Sequence, residues 1–187
     1  MRGILDVRPD LAKAVLDQAL LHLSHEDDSH GTAIKGVINI VTKVAEIKPT
    51  LISANMMRAI TRRAHAADKY HELAEKLLPI LDARPQLAVA VWAETQSFAS
   101  GTEDNHHAYA FITKLFERYP ALVTESRLRV MTKGVSAEVI DNDRHAFGAA
   151  MKAALSHKPE LAKTIDEATP LRRVMGQLLP QPQPAGV

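Results

Sequence analysis

"ILDVRPDLAKAV" at residues 4–15 and "ILDARPQLAVAV" at residues 80–91 differ at only three of twelve positions. A chain that writes the same dozen residues twice calls for a search for self-similarity before any other reading. The element at the heart of both is a basic or aromatic residue, then Pro, any residue and Leu. It occurs five times: Arg8-Pro9-Asp10-Leu11, Lys48-Pro49-Thr50-Leu51, Arg84-Pro85-Gln86-Leu87, Tyr119-Pro120-Ala121-Leu122 and Lys158-Pro159-Glu160-Leu161. The prolines stand 40, 36, 35 and 39 residues apart, too even for chance.

The stretch before each proline carries a pattern at twelve, eight, five and four residues upstream. Those positions read Val37, Val41, Val44, Ala45; Leu73, Leu77, Ile80, Leu81; Ala108, Ile112, Leu115, Phe116; and Phe147, Met151, Ala154, Leu155. Steps of four, three and one place them on one side of a helix with 3.6 residues per turn, here termed helix A. Proline ends that helix, because its ring blocks the preceding turn and it offers no N–H. It is well tolerated at the first position of a new helix, termed helix B. The third residue after each proline is small or apolar: Ala12, Ile52, Ala88, Val123 and Ala162. The tenth is Ala19, Ala59, Thr95, Val130 or Thr169, a choice expected to let neighbouring helices approach closely.

Polar turns, "HEDDSH", "AADKYH", "TEDNHH" and "IDNDRH", separate each helix B from the next helix A. In them Asp27, Asp68, Asp104 and Asn142 precede His30, His71, His107 and His145 by three residues, and are expected to cap helix A through an early backbone N–H. The unit is thus cap, helix A, proline turn, helix B, with copies at approximately 1–26, 27–67, 68–103, 104–141 and 142–179 and a Pro-rich tail at 180–187. In length, and in a turn between two antiparallel helices, the unit resembles the HEAT-like class of helical repeats. The Trp, Leu-Gly and Tyr positions of a tetratricopeptide and the Thr-Pro-Leu-His of an ankyrin repeat are missing. The resemblance implies an all-α, right-handed α-solenoid of about four and a half helix pairs, whose concave side binds a protein or, less often, nucleic acid.

Composition agrees with closely packed helices. The apolar fraction is 46%, drawn from Ala, Leu, Val and Ile, and aromatics supply only 4%. Lys and Arg total 23 against 22 acidic residues, so only a clustered patch would attract a polyanion. The absence of Cys removes disulfides, thiolate catalysis and Cys-ligated metal sites. No stretch reaches the roughly 20 apolar residues of a membrane span, and residues 1–10 lack the apolar run of a signal peptide. The expectation is a soluble cytoplasmic protein without a cofactor, either a monomer or a fragment of a longer array.

The ends differ. The first copy lacks nearly all of helix A, which reads as truncation of a longer array in preference to an orphan cap. At the other end Pro170 interrupts helix B and "LRRVMGQLL" is expected to cover the last repeat. Pro79, inside a helix A, is expected to kink it.

Three sets of residues could carry function. The turn histidines form a row if the copies stack, but at a spacing of about 10 Å neighbours cannot share one metal ion, and filling the first turn beside a cap explains them better. In "HLSHEDDSH", His22, His25 and His30 are the candidate metal ligands, weighed against a solvated polar turn; a metal-dependent enzyme on such turns is the third functional reading. Basic residues recur on helix B: Arg58, Arg62 and Arg63; Arg127, Arg129 and Lys133; Arg172 and Arg173. Arg58 and Arg129 stand nine residues after their prolines, and Arg62 and Lys133 thirteen, so stacking would line them into a stripe that Glu94 interrupts. These four, together with Trp92, are the candidate partner-binding residues. Trp92 is either core or an exposed anchor. The basic residues before the prolines are read as favourable charges at the end of helix A. No phosphate-cradling Gly-rich loop, Gly-x-Ser-x-Gly or His-Glu-x-x-His occurs. The expected function is a non-catalytic scaffold for a protein partner, with nucleic acid as the alternative.

Overall fold

A computed structural model of the chain describes residues 5, 8–24, 32–67, 70–100, 106–133 and 144–164. At all five prolines it shows one local structure. The proline opens a short 3₁₀ turn, and the amide of the motif Leu donates to the carbonyl of the residue before proline, at 2.8–3.1 Å. Arg8, Lys48, Arg84 and Tyr119 share one backbone conformation, φ between −127° and −141° and ψ between 69° and 73°. This follows from the proline ring, which drives the preceding residue out of the helical region. The amides of Lys48, Arg84, Tyr119 and Lys158 each still donate to the carbonyl four residues back, so helix A runs to its last possible hydrogen bond before the turn.

The described residues form helices and no strand: α1 (Ala12–Ser24), α2 (Thr32–Ile47), α3 (Ala54–His65), α4 (Tyr70–Glu75), α5 (Leu78–Ala83), α6 (Ala88–Ala99), α7 (His106–Arg118), α8 (Glu125–Lys133) and α9 (Arg144–His157). Every apolar helix A position whose side chain is described is buried: Val37, Val41, Val44 and Ala45 on α2; Leu77, Ile80 and Leu81 before Pro85; Ala108, Ile112, Leu115 and Phe116 on α7; Phe147, Met151, Ala154 and Leu155 on α9. Pro79 does more than kink its helix. It divides the segment into α4 and α5, because the carbonyl of Glu75 would need the N–H that proline lacks.

The chain leaves the 3₁₀ turn in two ways. After Pro9 and Pro85, Ala12 and Ala88 are already helical, at φ −52°, ψ −40° and φ −59°, ψ −29°, and the turn runs straight into α1 and α6. After Pro49 and Pro120, Ile52 and Val123 are extended, at φ −83°, ψ 118° and φ −74°, ψ 103°. A hydroxyl then restarts the helix: Ser53 Oγ accepts from the Met56 amide at 3.2 Å, and Thr124 Oγ1 from the Arg127 amide at 3.3 Å. The restart shifts the buried face by one residue. The direct helices bury the seventh and tenth residues after proline, Leu16 and Ala19 or Trp92 and Thr95. The restarted helices bury the eighth and eleventh, Met57 and Ile60 or Leu128 and Met131.

That shift corrects the expectation that the tenth residue always lies at a close helix contact. Ala59 is exposed and Val130 is 52% exposed. Ala162, third after Pro159, is exposed as well.

The chain divides into two compact units, Met1–Thr95 and Gln96–Val187. In the first, α2 packs against α1, α3, α4 and α5, and α1 also meets α3. Long-range contacts that tie this unit together include two side-chain bonds: the Arg84 guanidinium donates to the Pro49 carbonyl, and Arg62 Nε donates to Glu94 Oε1 at 2.7 Å. Arg84 is therefore not simply a charge at a helix end; it bonds to the previous proline turn. Arg8 is paired with its neighbour Asp10 at 2.7 Å, which lowers the Asp10 pKa through their hydrogen bond. In the second unit α7 packs along α9, where Tyr109 and Phe147 meet edge to face with ring centroids 5.2 Å apart. Tyr109 Oη donates to the Ala99 carbonyl at 3.2 Å, so the buried phenol keeps a hydrogen bond.

Candidate functional site

The restarted helices α3 and α8 carry the basic candidates, and the one-residue shift decides where they face. With the eighth and eleventh residues inward, the ninth and thirteenth turn outward, and Arg58, Arg62, Arg129 and Lys133 are all exposed. Among the described residues three of them have a partner. Arg58 Nη1 donates to Asn55 Oδ1 at 2.8 Å. Arg129 grips Glu125 Oε1 through Nε and Nη2, at 3.0 and 2.7 Å. Arg62 is paired with Glu94 of α6, and the two side chains are 65% and 11% exposed. The hydrogen bond to Glu94, followed by its charge, raises the Arg62 pKa above its ordinary value.

Glu94 therefore does more than interrupt a row of cations. It stands at the ninth position of its own copy, and Arg62 at the thirteenth of the copy before. Sequence reasoning recorded both positions but lacked the offset of neighbouring helices that brings them together.

The other basic residues are placed differently. Arg127 Nη1 donates to the Leu122 carbonyl at 2.8 Å and is half-buried, so it closes the end of its own 3₁₀ turn. Arg63 is also half-buried. Trp92, left open between core and anchor, is 6% exposed, which removes its ring from solvent in this structure. Arg172 and Arg173 lie outside the described residues, as do the turn residues Asp27, Asp68, Asp104 and Asn142.

Of the turn histidines, His107 is half-buried and His145 exposed, His30 lies outside the described residues, and the side chain of His71 does too. His25 and the side chain of His22 are likewise outside them. Among the described residues no group of three or more His, Asp or Glu is placed to hold a metal ion. One histidine absent from the sequence reading stands out: His65, in the last turn of α3, whose pKa burial pushes down to about 3. No helix among the described residues is long and apolar enough to cross a membrane.

The chain matches no protein-family model, no curated protein and no solved structure.

Proposed function

We propose that this chain is a non-catalytic helical-repeat scaffold, a right-handed α-solenoid that binds a protein partner along the concave surface formed by its B helices. Support for the repeat comes from packing of like on like within each unit. The A-type segments α2 and α5 meet, as do α7 and α9, and the B-type helices α1 and α3 meet. The Arg84–Pro49 and Arg62–Glu94 bonds also join neighbouring copies of the motif. Such side-by-side contacts are what a stack of two-helix units requires.

The observation that carries the binding surface is the exposure of Arg58, Arg62, Arg129 and Lys133 on the two restarted helices, at matching positions of two copies. A cation repeated on a buried face would serve the core; repeated on an open face it offers charge to a partner. Carboxylates already bonded to Arg62 and Arg129 reduce the net positive field, which favours a protein with local acidic groups over the continuous polyanion of a nucleic acid.

The test is a chain with all four residues replaced by Ala. Its helicity should match the parent, because none of the four is buried, with melting lowered by the loss of the Arg62–Glu94 bond, while partner binding weakens at least tenfold. Unchanged binding removes this surface from the account. Binding that disappears with nuclease treatment assigns the surface to nucleic acid.

A further inference from the structure

The Arg62–Glu94 pair joins a cation of the proposed binding face to a carboxylate from the next copy, and its two members differ in access. Arg62 is 65% exposed and Glu94 only 11%. An anion arriving from solvent meets the guanidinium, with the carboxylate lodged behind it. The bond uses Nε of Arg62. A guanidinium offers two forks to a carboxylate, one side-on through Nε and one Nη, the other end-on through both Nη atoms. Glu94 sits on the side-on fork.

Arg58 stands four residues earlier on the same helix, a rise of about 6 Å, with its Nη1 on Asn55, a neutral group that brings no negative charge of its own. The face of α3 thus has one cation held by an amide and one held by a carboxylate of the protein's own.

We infer that Glu94 is an internal competitor for the partner: it occupies Arg62 in place of an acidic side chain, and it is displaced from the side-on fork when an acidic peptide segment docks on Arg58 and Arg62. The inference rests on the proposed protein-binding role of this face and names the chemistry of what binds there, a segment with carboxylates spaced to reach cations one helical turn apart. The contact sets a threshold. A single carboxylate gains little by replacing one already in place, whereas a segment that also engages Arg58 adds a second ion pair.

The experiment is fluorescence anisotropy of the full chain with fluorescein-labelled hexaglutamate as probe and hexaglutamine as control, at constant ionic strength. Glu94 is only 11% exposed, so the pair is screened less than one at the open surface, and Glu94→Gln should tighten hexaglutamate binding by about fivefold. The amide keeps the shape of Glu94 and a hydrogen bond to Arg62 while removing its charge. Glu94→Asp, which withdraws the carboxylate by one methylene, should tighten it less.

Glu46→Gln makes the same change of net charge on α2 and should leave the affinity within twofold. Combined with Arg62→Ala, Glu94→Gln should have no further effect, because the contested cation is gone. If Arg62→Ala weakens the probe but Glu94→Gln does not tighten it, or tightens it equally with Arg62 absent, the competitor is refuted and the basic face stands. If neither Arg58→Ala nor Arg62→Ala weakens the probe, acidic-segment docking on α3 is refuted as well.

Discussion

Deleting Ser53 should be far milder than deleting Ala59, although each removes one residue from the same stretch. In the parent, Met57, Ile60, Thr61 and Ala64 are fully buried at eight, eleven, twelve and fifteen residues after Pro49. Without Ser53 they fall at seven, ten, eleven and fourteen. Those are the positions at which the direct helix α6 buries Trp92, Thr95, Gln96 and Ala99 after Pro85. The shortened chain can therefore run from the 3₁₀ turn straight into the helix with its buried face intact. Its main loss is the Ser53 cap, about 1 kcal/mol.

Deleting Ala59 leaves Met57 in place but rotates Ile60, Thr61 and Ala64 by about 100°. Loss of the buried Ile60 side chain alone is worth about 2–5 kcal/mol, and the Thr61 hydroxyl leaves its 2.7 Å bond to the Met57 carbonyl. Urea titration followed by far-ultraviolet circular dichroism and by Trp92 fluorescence measures both. With a slope of about 2 kcal/mol per molar, the midpoint should fall by about 0.5 M for the Ser53 deletion and by about 1 M or more for the Ala59 deletion. Equal losses would mean that the direct and restarted helices are not interchangeable registers of one unit.

Three further outcomes follow from single residues. Gly36 is exposed in the interior of α2, and a Cβ built there meets nothing within 4 Å; Gly36→Ala should stabilise the chain by about 0.5–1 kcal/mol in the same titration. Burial holds His65 neutral until about pH 3 when folded, against an ordinary value of 6.5, so the unfolded chain binds the extra proton between those values and stability falls as pH drops through that window. The slope approaches about 1.4 kcal/mol per pH unit; urea titrations at pH 7, 6 and 5 should show it, and His65→Gln should flatten that component. Equal pH dependence in parent and variant would rule out His65 as its source. Arg84→Met removes the donor to the Pro49 carbonyl, and should cost about 1.5–3 kcal/mol, with the restarted turn at Pro49 exchanging its amide protons sooner than the turn at Pro120.

The five turns and the inward face of helix A were legible in the sequence because proline and a 3.6-residue period act locally. The choice between a direct and a restarted helix B was also written there, although the reading passed over it. Four residues after proline stand Ser53 and Thr124 where the helix restarts, and Lys13 and Val89 where it does not. A hydroxyl can cap a new helix; Lys and Val cannot. Missing that signal placed Ala59 and Val130 inward.

Arg58, Arg62, Arg129 and Lys133 are each exposed, and their partners did not follow from spacing alone. The Glu125–Arg129 pair is an ordinary one-turn contact. Arg62–Glu94 spans 32 residues and depends on how far one helix slides along the next, which side-chain packing sets and a linear pattern does not.

The most direct measurement of the central claim is capture from a native lysate, with and without nuclease, using the parent chain and the variant in which Arg58, Arg62, Arg129 and Lys133 are all Ala. The account predicts a saturable protein partner that survives nuclease and is lost from the variant. Equal recovery on both chains, or retention that vanishes with nuclease, contradicts it.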